Sequence, residues 1–347
     1  MKILVSALEK SSNTHLKELM KHLDDSVEFC GIFSKELGNS DYDTSADTIM
    51  GFVDVLKKLR YLNKINNDML KLSKDADIVL LMDSSGFNLP LAKKIRNLHP
   101  KKKIYYYILP QAWAWKKGRI KTLENICDKL FSILPFEIEF YQKKDKITYV
   151  GHPLLDQIKK FKHKIEPNNS IAYMPGSRKA EIKALMPLFR QLSINMPNKT
   201  HILIIPDNFD KTFIDENYGD ISNFQIQTDA REVLTTVEFA YICSGTATLE
   251  ASIIGTAFAL VYIAKKLDFF IANFFLDIKY IGLANIMFDK ISGKKFHNEY
   301  LQNEATVKNL TDEYLYCNKQ KFITNSKILR DYLKYGSSEN VSKQLLF

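Results

Sequence analysis

Short apolar runs alternate along this chain with segments whose apolar residues recur every three or four positions. KILVSAL, VEFCGIF, DADIVLLMD, KKIYYYIL, DKLFSIL and ITYVG read as strands. Between them, THLKELMKHL sets Leu16, Leu19, Met20 and Leu23 at helical spacing, and NLPLAKKIRNL and KGRIKTLENIC read as further helices. This alternation predicts a parallel sheet with helices on both faces. From Ile158 to Asn169 the segment IKKFKHKIEPNN is polar and basic, and it reads as a linker or surface loop. The rhythm then restarts with SIAYM, HILIIP, NFQIQ, EFAYIC and FALVYI as strands. The pattern predicts two α/β domains, residues 1–155 and 156–325, with the last segment (about 325–347) able to pack on either. Ligands are expected at the C-terminal ends of the strands, and a cleft between the domains is the expected active site.

Composition narrows this picture only slightly. A length of 347 residues suits two domains, and an apolar fraction of 46% supports a full core. The net charge of +9 suits nucleic acid, anionic lipid or phosphorylated substrates without choosing among them. Cys30, Cys127, Cys243 and Cys317 lie far apart in sequence, with no zinc spacing, and read as reduced, buried thiols. The opening MKILVSALEK does not read as a signal peptide. The longest apolar stretch, DFFIANFFLDIKYIGLANIMF, is interrupted by Asp277 and Lys279, so no membrane span is expected.

Several turns carry candidate chemistry. In MPGSRKAEIKALMPLF a polar turn joins a strand to a helix, with Ser177 as a plausible N-cap and Arg178 in the first turn. A cation there opposes the helix dipole, which favours a ligand role, since an arginine fork suits phosphate oxygens; a surface arginine is the alternative. In SGTATLE, Ser244, Gly245 and Thr246 precede or begin a helix whose free amides suit a diphosphate, or else simply cap it. Glu250, one turn further on, could take ribose hydroxyls. Asp83 ends a buried-type strand in MDSSGFNLP, either as a general base or as a helix cap. Trp113 and Trp115 follow another strand, and His152 sits in a Gly-His-Pro turn at the domain junction. In TIMGFVDVLKKLRYLNKI, Met50, Phe52, Val53 and Leu56 form an apolar stripe flanked by Lys57, Lys58 and Arg60. That pattern fits a membrane-surface helix or a core-facing one with a solvated basic side. No nucleic-acid module is present, and nucleic acid is not an expected partner.

In order, ALEKSSN, MGFVDVL, MDSSGFN, PQAWAW, LPFEIEFY, GHPLLD, MPGSRKAEI, SGTATLE and GLAN resemble the lipid-A-disaccharide synthases, bacterial glycosyltransferases of the GT-B fold, over roughly residues 3–315. The resemblance implies two Rossmann-like domains facing each other across a cleft, the N-terminal one on the acceptor and membrane side and the C-terminal one on the UDP-sugar side. It implies transfer of the sugar of UDP-2,3-diacylglucosamine to 2,3-diacylglucosamine 1-phosphate (lipid X), forming a β-1,6 bond with inversion. The setting is the inner face of the cytoplasmic membrane, with no metal or cofactor. On this resemblance Asp83 is the catalytic base. Ser177, Arg178, Ser244, Gly245, Thr246, Glu250 and Asn285 bind UDP, and Glu9, Ser11, Asn88, Trp113, Trp115 and His152 line the acceptor side or cleft. The basic amphipathic segment then favours the membrane. Two motifs depart from the family pattern. The family's second aspartate after Asp83 is Gly86, and the loop Leu8–Asn13 keeps Glu9 and Ser11 but loses two glycines and an aspartate. A UDP-sugar 2-epimerase of the same fold is the alternative reading, and exchange of the C-terminal segment in a homodimer is open.

Overall fold

The computed structural model describes residues 1–44, 55–114, 116–263 and 279–346, with the backbone alone for 55–59. The chain divides into two compact units, Met1–Gln157 joined by Leu333–Phe347, and Ile158–Tyr332.

The first unit runs through β1 (Lys2–Ala7), α1 (Lys10–Met20), β2 (Glu28–Phe33), β3 (Tyr42–Asp43), α2 (Val55–Leu72), β4 (Ile78–Met82), α3 (Ser85–Leu98), β5 (Lys103–Tyr107), α4 (Gly118–Ile126), β6 (Lys129–Ser132), β7 (Ile147–Tyr149) and α5 (Pro153–Gln157). Its strands form a parallel sheet in the order β3-β2-β1-β4-β5-β6-β7. Successive strand residues face opposite sides, and the apolar core divides accordingly. Leu4, Val79, Leu81, Ile104 and Tyr106 pack with Ile65, Met69, Ala92, Ile95 and Leu123 of α2, α3 and α4. Ile3, Val5, Leu80, Tyr105 and Tyr107 pack with Leu16 and Leu19 of α1, and with Val341 and Leu345 from the far end of the chain. Both faces are covered, which is why IVLLM in β4 is apolar without alternation.

The second unit contains β8 (Ser170–Met174), α6 (Lys179–Asn195), β9 (Thr200–Ile204), α7 (Lys211–Tyr218), β10 (Gln225–Gln227), α8 (Ala230–Thr236), β11 (Phe239–Cys243), α9 (Thr246–Ile254), β12 (Phe258–Tyr262), α10 (Leu283–Ser292), β13 (Glu299–Leu301), α11 (Val307–Tyr316) and α12 (Gln320–Leu333). Its parallel sheet has the order β10-β9-β8-β11-β12-β13. Tyr173 anchors one face, with Phe189, Phe224 and Tyr241 at centroid distances of 5.3, 5.3 and 5.5 Å. Its hydroxyl lies 2.9 Å from His201 Nδ1, which satisfies the buried oxygen. The segment 158–169 has no regular structure, yet it is built into this unit rather than hanging as a linker. Ile158 and Lys162 are buried, and the Lys162 amide donates to the Ile254 carbonyl at 2.8 Å. Burial lowers the Lys162 pKa to about 8.

The last helix, α13 (Ser337–Leu346), returns to the first unit. Asp156 accepts from the amides of Gly336 at 2.8 Å and Ser338 at 3.1 Å, capping its start. Asn340 donates to the Val150 carbonyl at 3.0 Å, and the hydroxyls of Ser337 and Tyr107 lie 2.8 Å apart. Gly151, at φ +94°, is confined by this return, because a Cβ there would stand 2.9 Å from the Tyr335 carbonyl oxygen.

Candidate active site

In an open parallel sheet, ligands bind beyond the C-terminal ends of the two strands whose following connections diverge. In the first sheet those strands are β1 and β4. They lead into α1 and α3, whose side chains pack on opposite faces. In the second sheet the corresponding neighbours are β8 and β11, which lead into α6 and α9.

Asp83 follows β4 directly. Asp83 and Ser84 both adopt left-handed backbone, with φ of +50° and +39°. Two successive non-glycine residues in that region cost on the order of 1–2 kcal/mol each and must be held from outside. Asn88 does much of the holding. It is wholly buried, donates to the Met82 and Asp83 carbonyls at 3.0 and 2.9 Å, and accepts from Ser6 Oγ at 2.6 Å. The Tyr106 hydroxyl also donates to the Asp83 carbonyl. Asn88, expected to line the acceptor side, is therefore committed within the protein and shapes the turn behind Asp83. Burial raises the Asp83 carboxyl pKa, against the pull of the Ser84 amide, and the negative charge of Glu9 adds to the rise. Glu9 comes from the β1 loop and accepts from Ser84 Oγ at 3.4 Å. A second carboxylate thus stands near Asp83 although Gly86 has none. Ser11 is exposed on the first turn of α1. Asn13, where the family has its aspartate, bonds internally to the Ala7 and Glu9 carbonyls, Thr44 and the Ser34 amide.

The other expected residues of this unit are differently placed. Trp113 is buried, edge-on to Phe136 at 4.9 Å and tilted against Phe140 at 6.2 Å. Next to Phe136, Glu137 is buried and accepts from Ser132 Oγ at 2.6 Å; burial raises its pKa to about 8, with the Ser132 hydroxyl pulling the other way. His152 is buried, accepts from the Leu154 amide at 3.3 Å, and has its pKa lowered to about 3 by burial and the charge of His15. Burial thus favours its neutral form. Trp115, Met50, Phe52 and Val53 lie outside the described residues. Leu56, Lys57 and Lys58 fall where only the backbone of α2 is described, and Arg60 is exposed. A cavity of about 880 Å³ opens at the N-terminal ends of β1, β4 and β5, lined by Met1, Lys74, Ile78, Leu98, Lys103 and Leu346 among others. It is at the wrong end of the strands to hold a ligand against Asp83.

In the second unit the expected donor residues gather at the switch point. After β8, Gly176 turns the chain at φ +98°, where a Cβ would stand 2.5 Å from Glu181 Oε2. The helix cap is Arg178, not Ser177 as expected; Arg178 is extended and α6 begins at Lys179. That shift places Glu181 at the third helical position. Its buried carboxylate accepts from the Arg178 amide at 3.3 Å and from Arg178 Nη1 at 3.0 Å. The arginine side chain remains 81% exposed, so it is tethered yet open to a ligand. After β11, Gly245 is the cap of α9 at φ +156°, and neither Ser244 nor Thr246 caps that helix with its side chain.

Three other helices of this unit are capped conventionally. Asp210 accepts from the Phe213 amide, Asp229 from the Glu232 amide and Thr306 from the Asn309 amide. At α6 and α9 no such side-chain acceptor covers the first-turn amides. Ser177, Arg178, Gly245 and Thr246 are exposed around these starts, and Ser244 is half-buried. The arrangement presents amides, hydroxyls and a guanidinium together, which is what an oxyanion-rich ligand requires. Glu250 is half-buried one turn into α9, bonded to Arg231.

Asn285 is placed differently from the expected UDP contact. It is wholly buried, and its amide bonds the His297 carbonyl, Glu299 Oε1, and the amides of Phe296 and His297. Every hydrogen-bonding position of the side chain is filled, so none remains for a nucleotide. Glu299 completes this lock by accepting from the Ile281 and Gly282 amides, each at 3.0 Å. Sequence reasoning passed over Glu299 and Arg231, which left no usable signal. Glu181, four residues after Ser177, reads in sequence as an imperfect capping-box partner, and the cap at Arg178 restores the spacing of three. Among the described residues no group of three or more His, Cys, Asp or Glu is arranged to hold a metal, and no helix is long and apolar enough to cross a membrane.

The family described as lipid-A-disaccharide synthetase matches residues 3–344. The lipid-A-disaccharide synthase of Helicobacter pylori strain 26695 is 47% identical, over 99% of this chain and 98% of that protein. The Campylobacter jejuni enzyme of the same name is 42% identical over the same shares. Among solved structures, the UDP-GlcNAc 2-epimerase of Methanocaldococcus jannaschii, in complex with UDP-GlcNAc and UDP, has a TM-score of 0.58 at 14% identity, covering 100% of this chain and 99% of that one. A glycosyltransferase from Streptomyces nogalater has a TM-score of 0.56 at 13% identity, covering 99% and 98%. Those two likenesses establish the GT-B type of fold.

Proposed function

The chain belongs to the lipid-A-disaccharide synthetase family, and from that premise we propose how its residues carry out the family's reaction. It is a glycosyltransferase of lipid A biosynthesis. UDP-2,3-diacylglucosamine is the donor and lipid X the acceptor. The acceptor's 6-hydroxyl attacks the anomeric carbon, the bond from that carbon to the diphosphate breaks, and UDP departs with inversion.

Asp83 takes the proton from the attacking hydroxyl. Its raised pKa makes it a stronger base than an ordinary carboxylate, and the bonds to its carbonyl hold it in an otherwise unfavourable backbone conformation. On the second unit, Arg178, the hydroxyls of Ser177, Ser244 and Thr246, and the first-turn amides of α6 and α9 hold the diphosphate. They stabilise the charge that grows as it leaves. Glu250 takes ribose hydroxyls. Asn285 acts at one remove, fixing the turn before α10 rather than touching the nucleotide. The observation that carries this reading is the pair of helices, α6 and α9, that follow the two central strands of the second sheet with no side-chain acceptor from the cap residue on their first-turn amides.

Both substrates carry acyl chains, so the reading extends to the bilayer surface. Met50, Phe52, Val53 and Leu56 supply the apolar stripe, and Lys57, Lys58 and Arg60 supply attraction of ~1 kcal/mol each near anionic lipid. The site of action is then the inner face of the cytoplasmic membrane. Reversing Lys57, Lys58 and Arg60 to glutamate should abolish sedimentation with anionic vesicles while leaving UDP binding unchanged.

The central test is turnover with both substrates. UDP should appear in step with the disaccharide and stay at background without lipid X. UDP release that ignores the acceptor would sink the assignment. The 2-epimerases share the fold at low identity, and UDP-GlcNAc alone should yield no epimer.

A further inference from the structure

Glu250 does not stand alone on α9. It lies four residues after Thr246, so the two share a helix face. Helical side chains lean toward the N-terminus, which directs Glu250 back toward the open start of the helix. Its side chain is 15% exposed. From α8, Arg231 donates through Nε at 2.9 Å and through Nη2 at 2.6 Å, and both bonds end on Oε1. The other oxygen, Oε2, accepts no hydrogen bond from any described residue. One oxygen is saturated by a guanidinium fork, and its twin is held in place with its lone pairs unused.

We infer that Arg231 is a positioning residue for the donor nucleotide. It fixes the Glu250 rotamer so that Oε2 meets the vicinal hydroxyls of the ribose, and it does so without touching the nucleotide. This rests on the UDP reading above. A glutamate free to rotate would have to be ordered at each binding event, whereas the fork orders it beforehand. The fork geometry is specific to arginine, since a lysine offers one point charge where two N–H groups converge here.

Calorimetric titration of the full-length enzyme with UDP and with 2′,3′-dideoxy-UDP separates the possibilities. A hydrogen bond to a charged group is worth roughly 10- to 100-fold in affinity, so wild type should prefer UDP by that order. Arg231→Ala should weaken UDP about tenfold and leave dideoxy-UDP unchanged, erasing most of the preference. Arg231→Lys should fall between, and adding Glu250→Ala to Arg231→Ala should cost little more. If Arg231→Ala weakens both nucleotides equally, the arginine is merely structural and the inference fails. If wild type binds both equally, the inference fails while UDP binding stands. If wild type binds neither, the donor-site reading falls first.

Discussion

Replacing Asn88 with alanine tests whether the turn at Asp83 is held from behind. The substitution removes three buried hydrogen bonds, from Ser6 Oγ and to the Met82 and Asp83 carbonyls. At about 1 kcal/mol net for each, the first unit should lose about 3 kcal/mol. For a unit of this size that is roughly 6–12 °C of melting temperature, read by near-ultraviolet circular dichroism. Ser6→Ala removes only one of the three bonds and should cost about a third as much. The two variants therefore form a graded pair. The catalytic effect should exceed the loss of folded enzyme. Asp83 and Ser84 occupy left-handed backbone that relaxes once Asn88 is gone, so turnover should fall more than tenfold at a temperature where the variant is fully folded. UDP affinity, set by the second unit, should not change. An Asn88→Ala protein that melts within about 2 °C of wild type, or that turns over normally, would refute the claim that this amide carries the turn.

Three further outcomes follow from the same geometry. Asp83→Asn should abolish turnover, keep UDP affinity and raise the melting temperature at neutral pH, because an ionised carboxylate is removed from a site that disfavours it; in wild type, activity should fall as pH drops, with a midpoint raised from that of an ordinary aspartate. Glu137, with a folded pKa of about 8 against an ordinary 4.5, binds a proton in the native state that the unfolded chain releases, so its contribution to stability declines from about pH 4.5 to pH 8; Glu137→Gln should flatten that decline in a series of melts, and an unchanged slope would contradict it. Gly245→Ala would meet no atom of the described residues within 4 Å, so UDP binding should weaken through the backbone at φ +156° or through the methyl meeting the nucleotide, and an affinity equal to wild type would remove this turn from the donor site.

Much of the fold was legible because parallel strands buried on both faces leave unbroken apolar runs, as in FAYIC and FALVY. β13 was not legible. Its residues EYL are only half-buried and show neither a run nor an alternation. The turns around Arg178 and Gly245 were visible as polar interruptions between strand and helix, but the cap was misplaced by one residue. Ser177 has the better capping chemistry, and the decisive contact is made by Glu181 from inside the helix. The commitments of Asn88 and Asn285 were hidden for a different reason. An asparagine in a motif looks the same whether it meets a ligand or the backbone, and only tertiary contacts with Ser6, Phe296 and Glu299 separate the two.

The return of α13 also sets an order of events during synthesis. Val341 and Leu345 belong to the core of the first unit, and Asp156 waits for the amides of Gly336 and Ser338. The second unit is one continuous stretch, Ile158–Tyr332, and can close as soon as it has left the ribosome. The first unit, although translated earlier, leaves one face of its sheet incompletely covered until α13 emerges. A chain stopped short of Val341 is thus expected to damage the end that was made first, and a C-terminal truncation should register as aggregation through the N-terminal sheet.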